Sequence, residues 1–174
     1  MSEPKKRIGV FGESENGKST LVKAMCLEFW RQHHKLTLVL EAFVSPWHPG
    51  AWVTNNEENF REAVNRKRGC VVVIEDASAT IAADKTFNPF FTCIRHNDHD
   101  LIVVGHDGCD LLPAMRQNLN ELILFLQTER TVKIWKDCQP SMKGIELALT
   151  LDRYCFVHCK KFSKENPIPQ KLRL

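Results

Sequence analysis

Gly12-Glu13-Ser14-Glu15-Asn16-Gly17-Lys18-Ser19-Thr20 is the stretch from which the rest of the chain can be read. It fits the pattern Gly-x-x-x-x-Gly-Lys-Ser/Thr, and its setting counts as much as its letters. Just upstream, Ile8-Gly9-Val10-Phe11 is a short apolar run of strand type that ends at Gly12. Just downstream, residues 19–34 carry Leu21 or Val22, Met25 and Phe29 at helical spacing, which predicts a helix with those side chains toward a core. A strand, a glycine-bearing turn and a helix, in that order, point backbone N–H groups and a helix amino terminus at one spot. Such a spot binds phosphate. Gly12 and Gly17 permit the turn and the close approach. Lys18 is expected on the β- and γ-phosphates of a nucleotide, and the Ser19 hydroxyl on Mg²⁺. Glu13 and Glu15 are unusual neighbours for a polyanion. Because the backbone makes the cradle, their side chains are expected to point away. The whole run 12–20 is the expected nucleotide-binding segment.

Outward from this unit the alternation of strand and helix continues. Residues 36–40 read as a second strand. Residues 43–53 read as a loop rich in proline and aromatics, with Phe43, Trp47 and Trp52 expected to cover a hydrophobic face or to touch a subunit or DNA. Residues 56–68 carry Asn56 at the start, Glu57 and Glu58 in the first turn, Arg66-Lys67-Arg68 in the last, and Gly69 as a stop, which predicts a helix whose charges complement its dipole. Val71-Val72-Val73-Ile74 is a run of β-formers rather than an alternation, the mark of a strand buried on both faces. Asn88-Pro89 opens a helix to about residue 96, and residues 101–104 form another buried strand. Asp110 is expected to cap a short helix to about residue 119, ahead of a strand at 122–126. A helix over 142–151 and a last strand over 154–158 complete the domain, 1–160, with 161–174 as a flexible tail.

Five such strands with helical crossovers predict an α/β fold: an open, mainly parallel sheet of five or more strands with helices on both faces. Ligands in such sheets sit at the carboxyl ends of the strands. Composition agrees with one domain: 174 residues, 43% hydrophobic and 26% charged, with eight Gly and eight Pro, exclude collagen-like, coiled-coil and disordered chains. There is no apolar run of about 18 residues, and Met1-Ser2-Glu3-Pro4-Lys5-Lys6-Arg7 lacks the form of a secretory leader, so no membrane insertion is expected. A net charge of +3 allows a nucleic-acid partner without arguing for one. Seven cysteines without a Cys-x-x-Cys pair suggest reduced thiols, and Cys155, His158 and Cys159 are expected to pack in a strand or core rather than to hold a metal.

The residues that follow the strands carry the chemistry. Glu75-Asp76 stands at the tip of the run 71–74. Two carboxylates there are costly unless they serve a cation or a proton. The first is assigned to Mg²⁺ with Ser19, the second to the attacking water, and the two roles can exchange. His106 follows the strand 101–104 and would lie beside the γ-phosphate, where it can donate a hydrogen bond neutral or charged.

Together these pieces resemble the FtsK–HerA superfamily of DNA-pumping P-loop ATPases, a RecA/ASCE-like fold. Within it they look most like the genome-packaging ATPases of tailless, often membrane-containing double-stranded DNA viruses. The matching stretches are 12–20, 71–78 and 95–125, and His106 stands where the family usually carries Gln. The resemblance implies hydrolysis of ATP with Mg²⁺, coupled to translocation of double-stranded DNA by a homo-oligomeric ring of five or six subunits. It also implies trans-acting arginines at Arg95 and Arg116, contacts with capsid vertex or portal proteins, and work in the cytoplasm of an infected host cell or at the packaging vertex. A small-molecule kinase of nucleoside or nucleotide type is the alternative for the same loop. A GTP-dependent switch lacks its guanine-reading segment and its Asp-x-x-Gly element.

Overall fold

The computed structural model describes residues 5–81 and 84–173, the side chains of Cys93 and Arg95 excepted. Among them eight strands form one sheet: β1 (Arg7–Phe11), β2 (Thr37–Leu40), β3 (Ala51–Thr54), β4 (Val71–Ile74), β5 (Asp100–Gly105), β6 (Glu121–Leu124), β7 (Cys155–Lys160) and β8 (Gln170–Lys171). Their spatial order is β3-β2-β4-β5-β1-β6-β7-β8. The first six strands pair in parallel, and β7 and β8 are added antiparallel. This bears out the open, mainly parallel α/β sheet expected from the sequence.

Two-residue periodicity within the central strands sorts the core into two layers. Leu38, Leu40, Val72, Ile74, Leu101 and Val103 face one side. There they meet α2 (Glu57–Arg66), α4 (Asn88–Cys93), α5 (Pro113–Asn118) and α6 (Glu129–Cys138) through Phe60, Phe91, Met115 and Trp135. Ile8, Val10, Val39, Val71, Val73, Ile102 and Val104 face the other side, against Val22 and Cys26 of α1 (Lys18–His33). Burying each large side chain stabilises the fold by about 1.5–3 kcal/mol, which is why an uninterrupted Val71–Ile74 run belongs in the middle of the sheet. The Phe11 and Trp135 rings, 4.7 Å apart, tie the end of β1 to α6.

Register sets the site. Phe11 is level with Gly105, and Ile74 with Val103. The residues that follow β1, β4 and β5 therefore emerge along one edge.

Several local expectations differ from the structure. The stretch read as a loop, 43–53, contains most of β3, an edge strand in which Trp52 stays 41% exposed. An edge strand buries little, so it leaves a weak hydrophobic pattern. Phe43 is 86% exposed and covers no hydrophobic face, while Trp47 packs on the α1 layer. The helix α6 was not expected, and the helix expected over 142–151 is a 3₁₀ segment, Ile145–Leu149. Asp110 caps no helix: it closes a 3₁₀ turn, Gly108–Asp110, and α5 starts instead at Pro113. The expected helix over 88–96 runs as α4 and then a 3₁₀ turn, Ile94–Asn97. Within 161–174, β8 pairs with β7 and Leu172 N donates to Tyr154 O at 2.8 Å.

Candidate active site

The segment 12–17 leaves β1, and α1 opens at Lys18. A side chain on Gly12 would place its Cβ 2.6 Å from Phe125 Cβ, so the loop can follow this path only with glycine. Gly17, at φ +90°, is the N-cap of α1. Among the described residues no side chain caps that terminus, and its first turn holds no acidic group. The first N–H groups of a helix have no intrahelical acceptor. Here they remain available at the positive end of a helix dipole.

Lys18 is 8% exposed, and its Nζ donates to Gly12 O at 2.8 Å and Glu13 O at 2.7 Å. The ammonium closes the loop on itself. Burial lowers its pKa, partly offset by the charges of Glu75, Asp76, Asp110 and Glu13. Glu75 follows β4 and is 7% exposed. The Ser19 hydroxyl donates to its Oε1, and among the described residues Oε2 has no hydrogen-bond partner. Burial raises the Glu75 pKa. The Ser19 hydrogen bond opposes that rise and Glu41 adds to it.

Asp76 is held in the left-handed region at φ 49°, with Ser78 Oγ donating to its Oδ1 at 2.6 Å. Strained backbone of this kind persists where the surroundings over-determine it. A cavity of about 180 Å³ brings Lys18, Ser19, Glu75, Asp76 and His106 to one surface, which Ser14 and Glu15 also line. A larger cavity of about 570 Å³ lies between α2 and the edge strands, lined by Leu36, Pro49, Trp52 and Ala63. It has no part of the phosphate loop, so volume alone does not mark the site.

Ser19 and Glu75 make an oxygen-only donor pair with one buried carboxylate oxygen unpaired, which fits a hard divalent cation such as magnesium. The electrostatics agree. Glu75, Asp76, Asp110 and Glu13 all act on Lys18. A polyphosphate entering among so many carboxylates needs a cation with it.

The structure does not bring every candidate together. Arg116 is in the last turn of α5, and Asn120, four residues on, donates its N–H to Arg7 O at the start of β1. Arg116 thus lies at the amino end of the strands, and β1 alone puts roughly 16 Å between that end and the loop. Arg95 falls on the 3₁₀ turn Ile94–Asn97, also at the amino end, and its side chain lies outside the described residues. Cys155 and Cys159 belong to the layer beneath α6, while His158 projects from the opposite face of β7 and meets Glu121 Oε2 at 2.7 Å.

One positioning residue escaped the sequence reading. Asp110 Oδ2 accepts from His106 N at 2.8 Å and Asp107 N at 3.0 Å, and so fixes the turn that presents His106. The signal was present: Asp107-Gly108-Cys109-Asp110 has the spacing of a capping box, with Asp107 as the cap.

A phosphate loop between β1 and α1, a β5 inserted between β1 and the acid-tipped β4, and a parallel sheet define a P-loop NTPase fold. Comparison with solved structures agrees. The genome packaging NTPase B204 of Sulfolobus turreted icosahedral virus 2, in its complex with AMP, superposes with a TM-score of 0.75 over 99% of this chain and 100% of that one, at 15% identity. The N-terminal domain of zonular occludens toxin from Neisseria meningitidis superposes at 0.60 over 98% and 94%, at 10% identity. The type VII secretion ATPase EccC of Thermomonospora curvata does so at 0.60, over 95% of this chain and 25% of its own, at 15% identity. This chain therefore shares the fold of packaging and secretion ATPases, as its motifs suggested. No protein-family profile matches the sequence, and no curated protein does.

Proposed function

We propose that this chain is an ATP-hydrolysing motor subunit that packages double-stranded DNA into a viral capsid. The observation that carries the reading is the convergence of Lys18, Ser19, Glu75 and Asp76 on one small cavity at the end of the phosphate loop. The end-to-end likeness to a viral packaging NTPase supports the packaging part. It also weighs against the small-molecule kinase, since the fold is shared over the full length of both chains. B204 has been crystallised with AMP and with AMPPCP, which supports a nucleotide at the corresponding loop here.

In this proposal the amides of 13–20 and Lys18 hold the phosphates, and Lys18 exchanges its bonds to Gly12 O and Glu13 O for phosphate oxygens. Ser19 and Glu75 would hold magnesium, which neutralises charge on the terminal phosphates. Asp76, which lines the cavity, orients the attacking water and accepts its proton. Glu75 is not free to act as the base, because its Oε1 already accepts the Ser19 hydroxyl and the pair is assigned to magnesium. His106 reads the terminal phosphate from the turn fixed by Asp110. Arg95 and Arg116 sit at the amino end of the sheet, so each serves the site of a neighbouring subunit in a ring, not its own. The ring encloses duplex DNA and works in the infected cell or at the packaging vertex, beside capsid or portal proteins. None of the described helices is long and apolar enough to cross a membrane.

Asp76→Asn tests the assignment. It is expected to keep ATP binding within about threefold while turnover falls by 10² or more. Turnover near wild type would refute the role given to Asp76.

A further inference from the structure

The flank of the phosphate loop that faces away from Glu75 and Asp76 is occupied by the end of the chain. A Cβ on Gly17 would stand 2.7 Å from Leu172 Cδ2 and 3.4 Å from Tyr154 Cδ1. Both residues thus lie in direct reach of the loop's second glycine. Tyr154 is the only tyrosine in the chain and is held at φ 62°, a conformation that costs a bulky residue energy. It is kept there by β8, whose partner is β7, and by the bond from Leu172 N to Tyr154 O. Beside it, the Arg153 guanidinium lies 5.0 Å from the tyrosine ring centroid and donates to Glu15 Oε2 of the loop at 3.3 Å. The Arg153 side chain is 60% exposed.

Strand order gives these residues a direction. The cavity with the carboxylates lies beyond β1 toward β5 and β4, whereas Arg153 and Tyr154 lead into β7, on the other side of β1. A triphosphate laid through the loop with its terminal phosphate toward Glu75 leaves its nucleoside on the β7 side. What it meets there is an aromatic ring, a guanidinium and an apolar side chain, the groups that hold a planar base by stacking and cation–π contact.

We propose that Tyr154, Arg153 and Leu172 form the seat of the nucleobase, so that the C-terminal segment 170–173 is a wall of the nucleotide site. This rests on the reading of 12–20 as the phosphate site. The strain at Tyr154 fits the seat: the ring is placed against the loop at the expense of backbone comfort.

The test separates base from phosphate. Binding of magnesium ATP and of magnesium tripolyphosphate, which has no base, is measured by titration calorimetry on the wild type and on Tyr154→Gly, Tyr154→Phe and Lys18→Ala. Glycine takes a positive φ freely and keeps the backbone bond to Leu172, which offsets part of the lost ring packing, so Tyr154→Gly is expected to fold, as circular dichroism would check. It should bind ATP roughly tenfold or more weakly and bind tripolyphosphate within about twofold of the wild type. Tyr154→Phe should retain ATP binding. Equal losses for both ligands in Tyr154→Gly, or no loss for either, would overturn the base seat. Lys18→Ala should weaken both ligands. If it weakens neither, the phosphate site itself fails, and the base seat fails with it for that separate reason.

Discussion

Glu75 is held in the free protein at a cost that a single isosteric change can expose. The carboxylate is 7% exposed, one oxygen takes the Ser19 hydroxyl, and the other has no partner among the described residues. Burial raises its pKa, and this net rise already includes the attraction of Lys18 and Lys23. A carboxyl whose folded pKa lies above its unfolded value contributes stability below the unfolded value and loses it as pH rises through the folded one. Once ionised, Glu75 is therefore a burden on the free fold, and the burden grows as pH rises. Glu75→Gln keeps the shape, removes the charge and does not titrate. Relief of one buried charge, net of the polar amide that replaces it, amounts to about 1–3 kcal/mol. For a chain of this size that corresponds to a rise in Tm of roughly 3–8 °C. The gain should shrink as pH falls and vanish below about pH 4, where the wild-type carboxyl is protonated both folded and unfolded. Thermal unfolding of nucleotide-free protein, followed by circular dichroism from pH 4 to 8, reads this directly, and ATP turnover on the same samples should be lost. A lower Tm at pH 8 would refute the claim that this carboxylate waits for a cation. A gain that does not depend on pH would refute it equally.

Two further outcomes are expected. His99 is fully buried, accepts from Cys70 N at 3.0 Å through Nδ1 and bonds Val64 O through Nε2; burial lowers its pKa, so a proton is taken up on unfolding, and stability should fall by about 1.4 kcal/mol for each pH unit below about 6.5, until the folded ring titrates. Unfolding in denaturant at pH 7.5, 6.5 and 5.5 checks the slope, and a flat profile in that range would contradict it. Arg95→Ala and Arg116→Ala should each lose turnover alone, and each should regain part of it when mixed with Lys18→Ala subunits; no recovery in either mixture would remove the shared site.

The legibility of the chain follows burial. Val71-Val72-Val73-Ile74 declared itself because a central parallel strand is apolar on both faces, and Gly12 and Gly17 because only glycine fits beside Phe125 and at φ +90°. Edge elements were harder. β3 exposes Trp52, and β8 is two exposed residues, Gln170 and Lys171, whose place depends on β7. The helix α6 has Thr128 as N-cap and buries Val132 and Trp135, a readable pattern with which the apolar stretch 142–151 competes. At the site, order along the sheet made Lys18, Ser19, Glu75, Asp76 and His106 legible, because each follows a strand or opens a helix at the same edge. Asp110 and Tyr154 were not, because the roles proposed for them rest on contacts across the fold, with His106 N in one case and Gly17 in the other.

The central claim is that this phosphate loop drives DNA. Its most direct test is the rate of ATP hydrolysis by the purified chain with and without long duplex DNA, with Lys18→Ala as the control. The account predicts hydrolysis that DNA stimulates severalfold and that disappears in Lys18→Ala. Turnover that is indifferent to DNA, with phosphate passed instead to a nucleoside or nucleoside monophosphate, would contradict it and make the chain a kinase.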